Sequence, residues 1–396
     1  MKKKKLTIGI FTDAFFPMTD GVIMVVDNYA KRLAEYANVI VFAPKYLNND
    51  FDDSIFNYKV VRSFSVKVPL IDYSLPIPKM DPKFQKELKK YQLDLVHIHS
   101  PFTIGEAGVQ YAKKNNIPVV GTMHSQFKQD FLRAVKSEKL ADLLTKKIIR
   151  VFNKCDECFT VNEEIARIFH EEYGYKKKPI IIHNATDMTK LDDNAKIIPK
   201  IEQKYHLNKN DKVFLFVGRI NKLKNIFFIA DVLQKLKEIK LDFKFKMLFV
   251  GCGQDEKEFQ KYIDKLRLNK EVIFCGKILN REILAGVYKR ADLFLFPSFY
   301  DTNSLVQLEA SSQELPTLFV KGSGTSAMVS DNINGYIEEF DVLKYAKRIV
   351  NIFNDSKLYD KVSKNAYKDL YVNWNDVCKD LYQNYLKIIE KKNINE

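Results

Sequence analysis

Short apolar runs of strand length alternate along this chain with longer stretches whose apolar positions recur every three or four residues. That alternation is the pattern of βα units built around parallel sheets. In the first half the runs Leu6–Phe11, Val39–Phe42, Leu95–His99, Val119–His124, Cys158–Val161 and Ile180–His183 are expected strands. In the second half they are Val213–Val217, Met247–Val250, Val272–Cys275, Leu293–Pro297 and Thr317–Val320. Helical periodicity falls between them, at Ile226–Lys240, Glu256–Leu268, Arg281–Lys289 and Ser304–Glu314. The stretch Thr186–Asp211 breaks this rhythm. It is polar, holds Pro199 with several Asp and Asn, and reads as an interdomain linker. After Tyr336–Glu339 only helical patterns follow, at Val342–Asn354, Ser356–Tyr371 and Asp376–Lys391.

The expected fold class is therefore α/β: two consecutive Rossmann-like, doubly wound domains facing a cleft, with a helical C-terminal extension. The domains are placed at residues 1–187 and 188–372, with a last helix at about 373–396 packing back on the first. A length of 396 residues suits two domains, each able to bury a core. Ligands in such folds sit at the carboxyl ends of the strands. Glycine usage agrees, since Gly218, Gly251 and Gly276 each follow directly on an apolar run and would line one sheet edge. Taken singly, each is an ordinary turn glycine.

Composition narrows the function classes. With 46% hydrophobic and 13% aromatic residues the chain is not disordered. No apolar run approaches the roughly 18 residues of a membrane-spanning helix. Met1-Lys-Lys-Lys-Lys-Leu6 begins like a signal peptide, but Thr12-Asp13 breaks the apolar stretch and no small-residue cleavage site follows, so a cytoplasmic location is expected. The formal net charge of +14 favours anionic partners, although 54 of the 64 basic residues are Lys, which reads partly as compositional bias. In such a chain each Arg is the more informative residue. The five cysteines imply no disulfide framework. Cys155-Asp-Glu-Cys158 lacks a second pair for zinc and is read as ordinary reduced thiols.

Three motifs carry chemistry. In Val217-Gly-Arg-Ile-Asn-Lys-Leu-Lys224, Arg219 and Lys224 lie just past an apolar run, where two cations can clamp a diphosphate; the plainer reading is solvated surface. Gly251-Cys-Gly253-Gln-Asp-Glu256 resembles a dinucleotide fingerprint with Glu256 at the third glycine position. A pyrophosphate there would face Asp255, Glu256 and Glu258, which disfavours NAD. In Phe296-Pro-Ser-Phe-Tyr-Asp301-Thr-Asn-Ser-Leu-Val-Gln-Leu-Glu309 a polar turn leads into a helix near Ser304. The amides of Asn303, Ser304 and Leu305 there form an anion site, with Asp301 and Glu309 suited to sugar-nucleotide hydroxyls. The plainer reading leaves Asp301 as a helix cap and Glu309 solvated.

In order and spacing these motifs resemble the retaining nucleotide-sugar glycosyltransferases of glycosyltransferase family 4, which have the two-domain GT-B fold. The resemblance covers nearly the whole chain. The family's early glycine loop matches Phe16-Pro-Met-Thr-Asp-Gly21, and its His-bearing strand ends match Val96-His-Ile-His99 and Gly121-Thr-Met-His124. Its Gly-Arg-x(4)-Lys signature matches Gly218, Arg219 and Lys224, its Gly-x-Gly turn matches Gly251-Cys-Gly253, and its Glu-x(7)-Glu motif matches Asp301 to Glu309. The resemblance implies that Arg219 and Lys224 hold the donor diphosphate, Glu309 the ribose hydroxyls and Asp301 the transferred sugar. It implies that Gly21 lets the backbone approach the donor phosphates, that His124 lies beside the sugar, and that Gly276, Lys277 and Ile278 frame the base. Gly218 and Gly251 complete the donor-binding edge. No catalytic metal or other cofactor is implied. Asp301 departs from the family's first Glu, Asn303-Ser304 from its common Phe-Gly, and Gly322-Ser-Gly-Thr-Ser326 from a Glu-containing stretch; these bear on the sugar's identity. His97, His99 and His124 leave a metal site open as a rival reading, and core packing open for His97.

The expected reaction moves a hexose, with glucose from a UDP donor preferred, to a hydroxyl of a membrane lipid such as diacylglycerol or of a cell-envelope glycan. The first domain would serve the acceptor and the second the nucleotide sugar. Residues 59–90 and 128–154 each carry a net charge of +5, and the second has apolar residues at helical spacing. Both are candidate contacts with an anionic membrane at the inner face of the plasma membrane. For the second, a core helix with a solvated Lys face is the alternative. Two other functions stay open: a nucleotide-sugar epimerase on the same fold, and a basic nucleic-acid-binding protein. No nucleic-acid-reading motif is present, so nucleic acid is not an expected partner.

Overall fold

The computed structural model describes residues 5–47, 51–67, 74–193, 195–299, 301 and 304–394. It divides into two units, Met1–Asn184 with Trp374–Glu396, and Ala185–Asn373.

In the first unit the apolar run Thr7–Phe11 forms β1, whose residues from Ile8 to Phe11 are buried because a parallel sheet is covered on both faces. The other strands are β2 (Asn38–Lys45), β3 (Lys59–Lys67), β4 (Ser74–Pro76), β5 (Leu95–Ile98), β6 (Val119–Met123), β7 (Glu157–Thr160) and β8 (Ile180–Ile181). Their order is β4-β3-β2-β1-β5-β6-β7-β8, parallel except for the antiparallel β3–β4 pair. The order reverses direction between β1 and β5, which is where doubly wound sheets open a crevice.

The second unit has β9 (Lys212–Val217), β10 (Phe245–Val250), β11 (Val272–Gly276), β12 (Leu293–Phe296), β13 (Thr317–Val320) and β14 (Tyr336–Glu338), in the order β11-β10-β9-β12-β13-β14. All are parallel, and the switch falls between β9 and β12.

Two sequence expectations are corrected, and a third stretch holds elements that the sequence reading did not assign. The stretch Thr186–Asp211 is no bare linker. It contains the helix Ile197–Lys204, and Ile201, Tyr205 and Leu207 are buried in the core of the second unit. Arg290 fastens it, with its guanidinium on Glu202 Oε1 at 2.7 Å and on the Asn208 carbonyl at 2.9 Å. The basic stretch 128–154 is not one helix but two, Phe127–Val135 and Glu138–Phe152, separated at Lys136, which takes the left-handed conformation (φ 51°). Ala141, Thr145, Ile148, Ile149, Val151 and Phe152 are buried, so most of its apolar stripe is core; Leu140 and Leu143 stay exposed. The basic stretch 59–90 holds two unpredicted strands and the helix Pro82–Lys90. In β3 the pattern is inverted: Ser63 and Ser65 are fully buried while Phe64 and Val66 are 46% and 37% exposed. Apolar-in, polar-out reading fails on such a strand.

The last helix, Trp374–Ile394, belongs to the first unit. Trp374 packs edge-on against Tyr29 at 5.7 Å, and Cys378 Sγ lies 3.7 Å from the Asn28 carbonyl of the helix Gly21–Leu33. Tyr385 reaches the end of β5, its hydroxyl 2.5 Å from His97 Nδ1, while Thr122 Oγ1 of β6 sits 2.6 Å from Nε2 of the same ring. Both nitrogens of a fully buried imidazole are thereby satisfied. The alternative of His97 as plain core packing fits this geometry.

Tyr385→Phe keeps the ring and strands His97 Nδ1 in the core. It should lower the unfolding free energy of this unit by about 1–3 kcal/mol. Trp374, the one tryptophan of the sequence, reports the transition in urea by fluorescence. A loss below about 0.5 kcal/mol would mean that the contact contributes nothing net.

Candidate functional site

In the second unit the apolar strands end in polar loops at one edge. Gly218 N donates to the Val250 carbonyl at 3.0 Å and Gly251 N to the Gly276 carbonyl at 2.9 Å, so the three post-strand glycines stand in a row. Gly251 has φ +134°, and a Cβ on it would meet the Gly218 carbonyl oxygen at 1.9 Å. Gly276 has φ +65° with open space around it, and leads through exposed Lys277 and half-buried Ile278 to the helix Arg281–Arg290.

Arg219 follows β9 directly and is exposed. Lys224 ends the short turn Lys222–Lys224, and its ammonium lies 2.5 and 2.6 Å from Asp301 Oδ1 and Oδ2. The two side chains are only 14% and 16% exposed. Two residues named separately from the sequence thus form an ion pair across the β9–β12 switch. Asn225, left-handed at φ 55°, latches the same two loops by donating from Nδ2 to the Pro297 carbonyl at 2.6 Å. Asp255 accepts from Lys222 N at 2.8 Å, and Glu258 pairs with Lys222 Nζ at 2.7 Å. The start of the helix Glu256–Lys265 is therefore acidic, with Asp255 and Glu258 already partnered.

The helix Leu305–Ser312 starts after Ser304 at its N-cap; Asn303 lies outside the described residues. Glu309, on that helix, is buried rather than solvated. Its Oε1 accepts from Arg281 Nη1 at 2.7 Å and its Oε2 from the Tyr288 hydroxyl at 2.9 Å. Arg281 Nη2 also donates to Asp187 Oδ1 at 2.7 Å. Burial pushes the Glu309 carboxyl above its ordinary value against the pull of Arg281, and pushes the Tyr288 phenol well up beside that carboxylate. Arg281, Tyr288 and Asp187 were missed in the sequence. The scarcity of Arg in a Lys-rich chain was the one signal that could have raised Arg281.

In the first unit, Gly21 opens the helix Gly21–Leu33, which Asp20 caps by accepting from Ile23 N at 2.8 Å. A Cβ at Gly21 would meet no atom within 4 Å, so no protein neighbour requires the glycine. Asp13, just past β1, was not singled out in the sequence. Its Oδ1 accepts from Ile104 N at 2.8 Å and Thr103 Oγ1 at 3.0 Å, and its Oδ2 from Ser100 Oγ at 3.1 Å and Gly105 N at 3.2 Å. It locks the β1 loop onto the start of the helix Thr103–Lys114, and burial raises its carboxyl above the usual value.

His99 and His124 are buried side by side, Nδ1 of the first 2.9 Å from Nε2 of the second. Burial holds His97 and His99 well below the ordinary imidazole value and pushes His124 down to about 3. Among the described residues no group of three His, Cys, Asp or Glu is arranged to hold a metal ion. Cys155 and Cys158 are buried free thiols, and the Cys155 thiol is pushed well up by its hydrogen bond to Cys158 and by burial. Such thiols are inert. No helix among the described residues is long and apolar enough to cross a membrane.

Two family models match the chain: Glycosyltransferase Family 4 over residues 19–190, and Glycosyl transferases group 1 over residues 197–369. It is 25% identical to the alpha-monoglucosyldiacylglycerol synthase of Acholeplasma laidlawii, over 98% of each chain. It is also 25% identical to a GDP-mannose-dependent alpha-mannosyltransferase of Corynebacterium glutamicum, over 98% of this chain and 90% of that one. Among solved structures it resembles Anabaena HepE in complex with UDP and glucose (TM-score 0.75, 14% identity, 96% and 99% of the two chains). It resembles sucrose-phosphate synthase of Thermosynechococcus elongatus as closely (TM-score 0.77, 19% identity, 98% and 100%).

The buried histidines set an acid limit on the first unit. The unfolded chain takes up protons below pH 6.5, the ordinary value, while the folded cluster stays neutral. Stability is therefore full above that pH and falls on acidification, by about 1.4 kcal/mol per pH unit for each histidine. Urea midpoints followed by Trp374 fluorescence from about pH 7.5 to about pH 5.5 check this; a flat profile would contradict it.

Proposed function

The chain belongs to glycosyltransferase family 4, with the GT-B fold, and from that premise we propose that it moves a hexose from a nucleotide-diphosphate sugar to a lipid or cell-envelope glycan hydroxyl. Glucose from a UDP donor is the preferred substrate and diacylglycerol the preferred lipid. The relative named as an alpha-monoglucosyldiacylglycerol synthase supports this choice, as does the neighbour that holds UDP and glucose.

One observation carries the reading: Lys224 and Asp301 are held together at the switch between β9 and β12, with Arg219 in the same loop as Lys224. A diphosphate cation next to a sugar-facing carboxylate brackets the bond that must break. In the proposed reaction the bond from the sugar's anomeric carbon to the diphosphate oxygen breaks, and the acceptor oxygen bonds that carbon on the same face. The acceptor proton passes to the departing phosphate oxygen, so no enzymic nucleophile and no metal is required. Arg219, as a planar fork, and Lys224, as a point charge, stabilise the negative charge that grows on the leaving diphosphate. Asp301 faces the electron-poor sugar, Glu309 takes the ribose hydroxyls, and Ser304 and Leu305 add backbone amides at the helix start. Gly276, Lys277 and Ile278 frame the base. In the first unit Gly21 and the neutral His124 serve the donor's phosphate and sugar.

The acceptor side is assigned to the first unit. There Phe64, Val66 and Leu75 share one exposed sheet face, Val66 opposite Leu75, with Lys45 paired to Phe64 and Lys83 lining the same groove as Phe64. A groove of about 570 Å³ lined by Pro17, Tyr46, Phe51, Arg62 and Phe64 adjoins it. Apolar side chains rimmed by lysines suit an anionic bilayer surface. Exposed Leu140 and Leu143 offer a second contact, smaller than the sequence suggested.

Thermal-shift titration with UDP-, GDP- and ADP-sugars should find one that stabilises the protein, and Arg219→Ala should weaken that ligand about 10- to 100-fold. No shift with any of them would sink the transferase reading. The protein should float with anionic vesicles at low salt and lose much of that binding in a Phe64→Ser, Val66→Ser variant; wild-type protein that stays unbound would remove the membrane from the proposal.

A further inference from the structure

Glu309 is held more tightly than a binding carboxylate needs to be. The terminal torsion of a glutamate is broad, so a lone carboxylate turns freely. Here each oxygen receives one donor, Arg281 Nη1 on Oε1 at 2.7 Å and the Tyr288 hydroxyl on Oε2 at 2.9 Å. Both donors come from the single helix Arg281–Arg290, so they are placed relative to one another by its backbone. Each is also fixed from behind. Arg281 Nη2 is anchored on Asp187 Oδ1 at 2.7 Å, and the fully buried Tyr288 ring packs edge-on against Phe294 at 5.9 Å. The carboxylate therefore has one orientation.

Each carboxylate oxygen offers two lone pairs. With one taken on each oxygen, one acceptor direction remains on each of two neighbouring oxygens of a fixed group. That arrangement complements two hydroxyls on adjacent carbons. An acceptor in a buried setting that loses its donor is penalised by more than the bond itself was worth.

We propose that Arg281 and Tyr288 are positioning residues that make Glu309 a gauge for a vicinal diol, so that the donor is a ribonucleotide sugar and 2′-deoxyribonucleotide sugars are rejected. The inference rests on the reading above, in which the donor's ribose meets Glu309. Arg281 has a second task. Burial raises the Glu309 carboxyl, and the guanidinium opposes that rise. The hydrogen bond from Tyr288 opposes the same rise.

Isothermal titration of the full chain with UDP, GDP and ADP selects the tightest ligand, which is then compared with its 2′-deoxy form. Wild-type protein should prefer the ribonucleotide by about tenfold or more. Tyr288→Phe preserves the ring and should reduce the preference to about threefold or less, and Glu309→Gln should remove it. In Arg281→Gln the preference should fade at a higher pH than in the wild type as the solution is acidified. Arg219→Ala should weaken both ligands together and leave their ratio intact, which a merely damaged site would not do. Equal wild-type affinity for the two forms, or an unchanged ratio in Tyr288→Phe, overturns the inference while leaving the transferase reading in place. Failure of every nucleotide to bind overturns both.

Discussion

A parallel sheet covered on both faces leaves itself one polar working surface, the edge where its strands end. The second unit obeys this strictly. Phe214, Leu215 and Phe216 of β9 and Leu293, Phe294 and Leu295 of β12 have no exposure at all. At the carboxyl ends of β9 and β12 charge begins past the last strand residue: Arg219 lies two residues beyond Val217 and Asp301 a short loop beyond Phe296. Glycine is needed at the same edge because the loops crowd one another there, as the Gly251 backbone against the Gly218 carbonyl shows. The chemistry is placed by the topology, and the side chains are chosen within that placement.

Charges collected at a half-dry edge must be paired or hydrogen-bonded. Asp13 meets four donors from one loop and one helix start, Lys224 and Asp301 meet each other, and Glu309 meets Arg281 and Tyr288. Such pairs are poor sources of stability, because desolvation offsets most of the attraction. What they supply is direction. The neutral histidine cluster of the first unit answers the same constraint by the opposite route, giving up charge instead of pairing it.

Most strands, and the helices from Ile226 onward, were legible as periodicity, because both depend on neighbours within a few residues. The inverted strand β3 was not, since its buried Ser63 and Ser65 and exposed Phe64 and Val66 contradict the rule by which a strand is read. The helix Ile197–Lys204 hid in a polar stretch because one wide apolar contact, through Ile201, with the Arg290 clamp replaces a continuous stripe. The amphipathic reading of 128–154 found a real stripe, most of which takes the core-helix alternative that reading left open. Within the candidate site, Arg219, Lys224, Asp301 and Glu309 were visible as residues in motifs, but their partnerships were not. Lys224 and Asp301 are 77 positions apart, and Arg281 and Asp187 are 94 apart, distances over which no local pattern carries information.

The Lys224–Asp301 pair also bears on how the proposed reaction would proceed. Asp301 is one methylene shorter than the Glu of the family motif, and its carboxylate is held at 2.5 and 2.6 Å by the ammonium that would also meet the leaving diphosphate. In the ground state of the proposed reaction that cation would be shared. As the bond to the anomeric carbon lengthens, negative charge concentrates on the phosphate oxygen and positive charge on the sugar. Lys224 then gains from moving toward the phosphate while Asp301, partly released, gains from facing the sugar. Both changes favour the transition state over the bound donor, which is the condition for an interaction to accelerate a reaction instead of merely binding its substrate. The ion pair thus keeps two opposite charges at low exposure in the positions where the proposed reaction would require each of them apart.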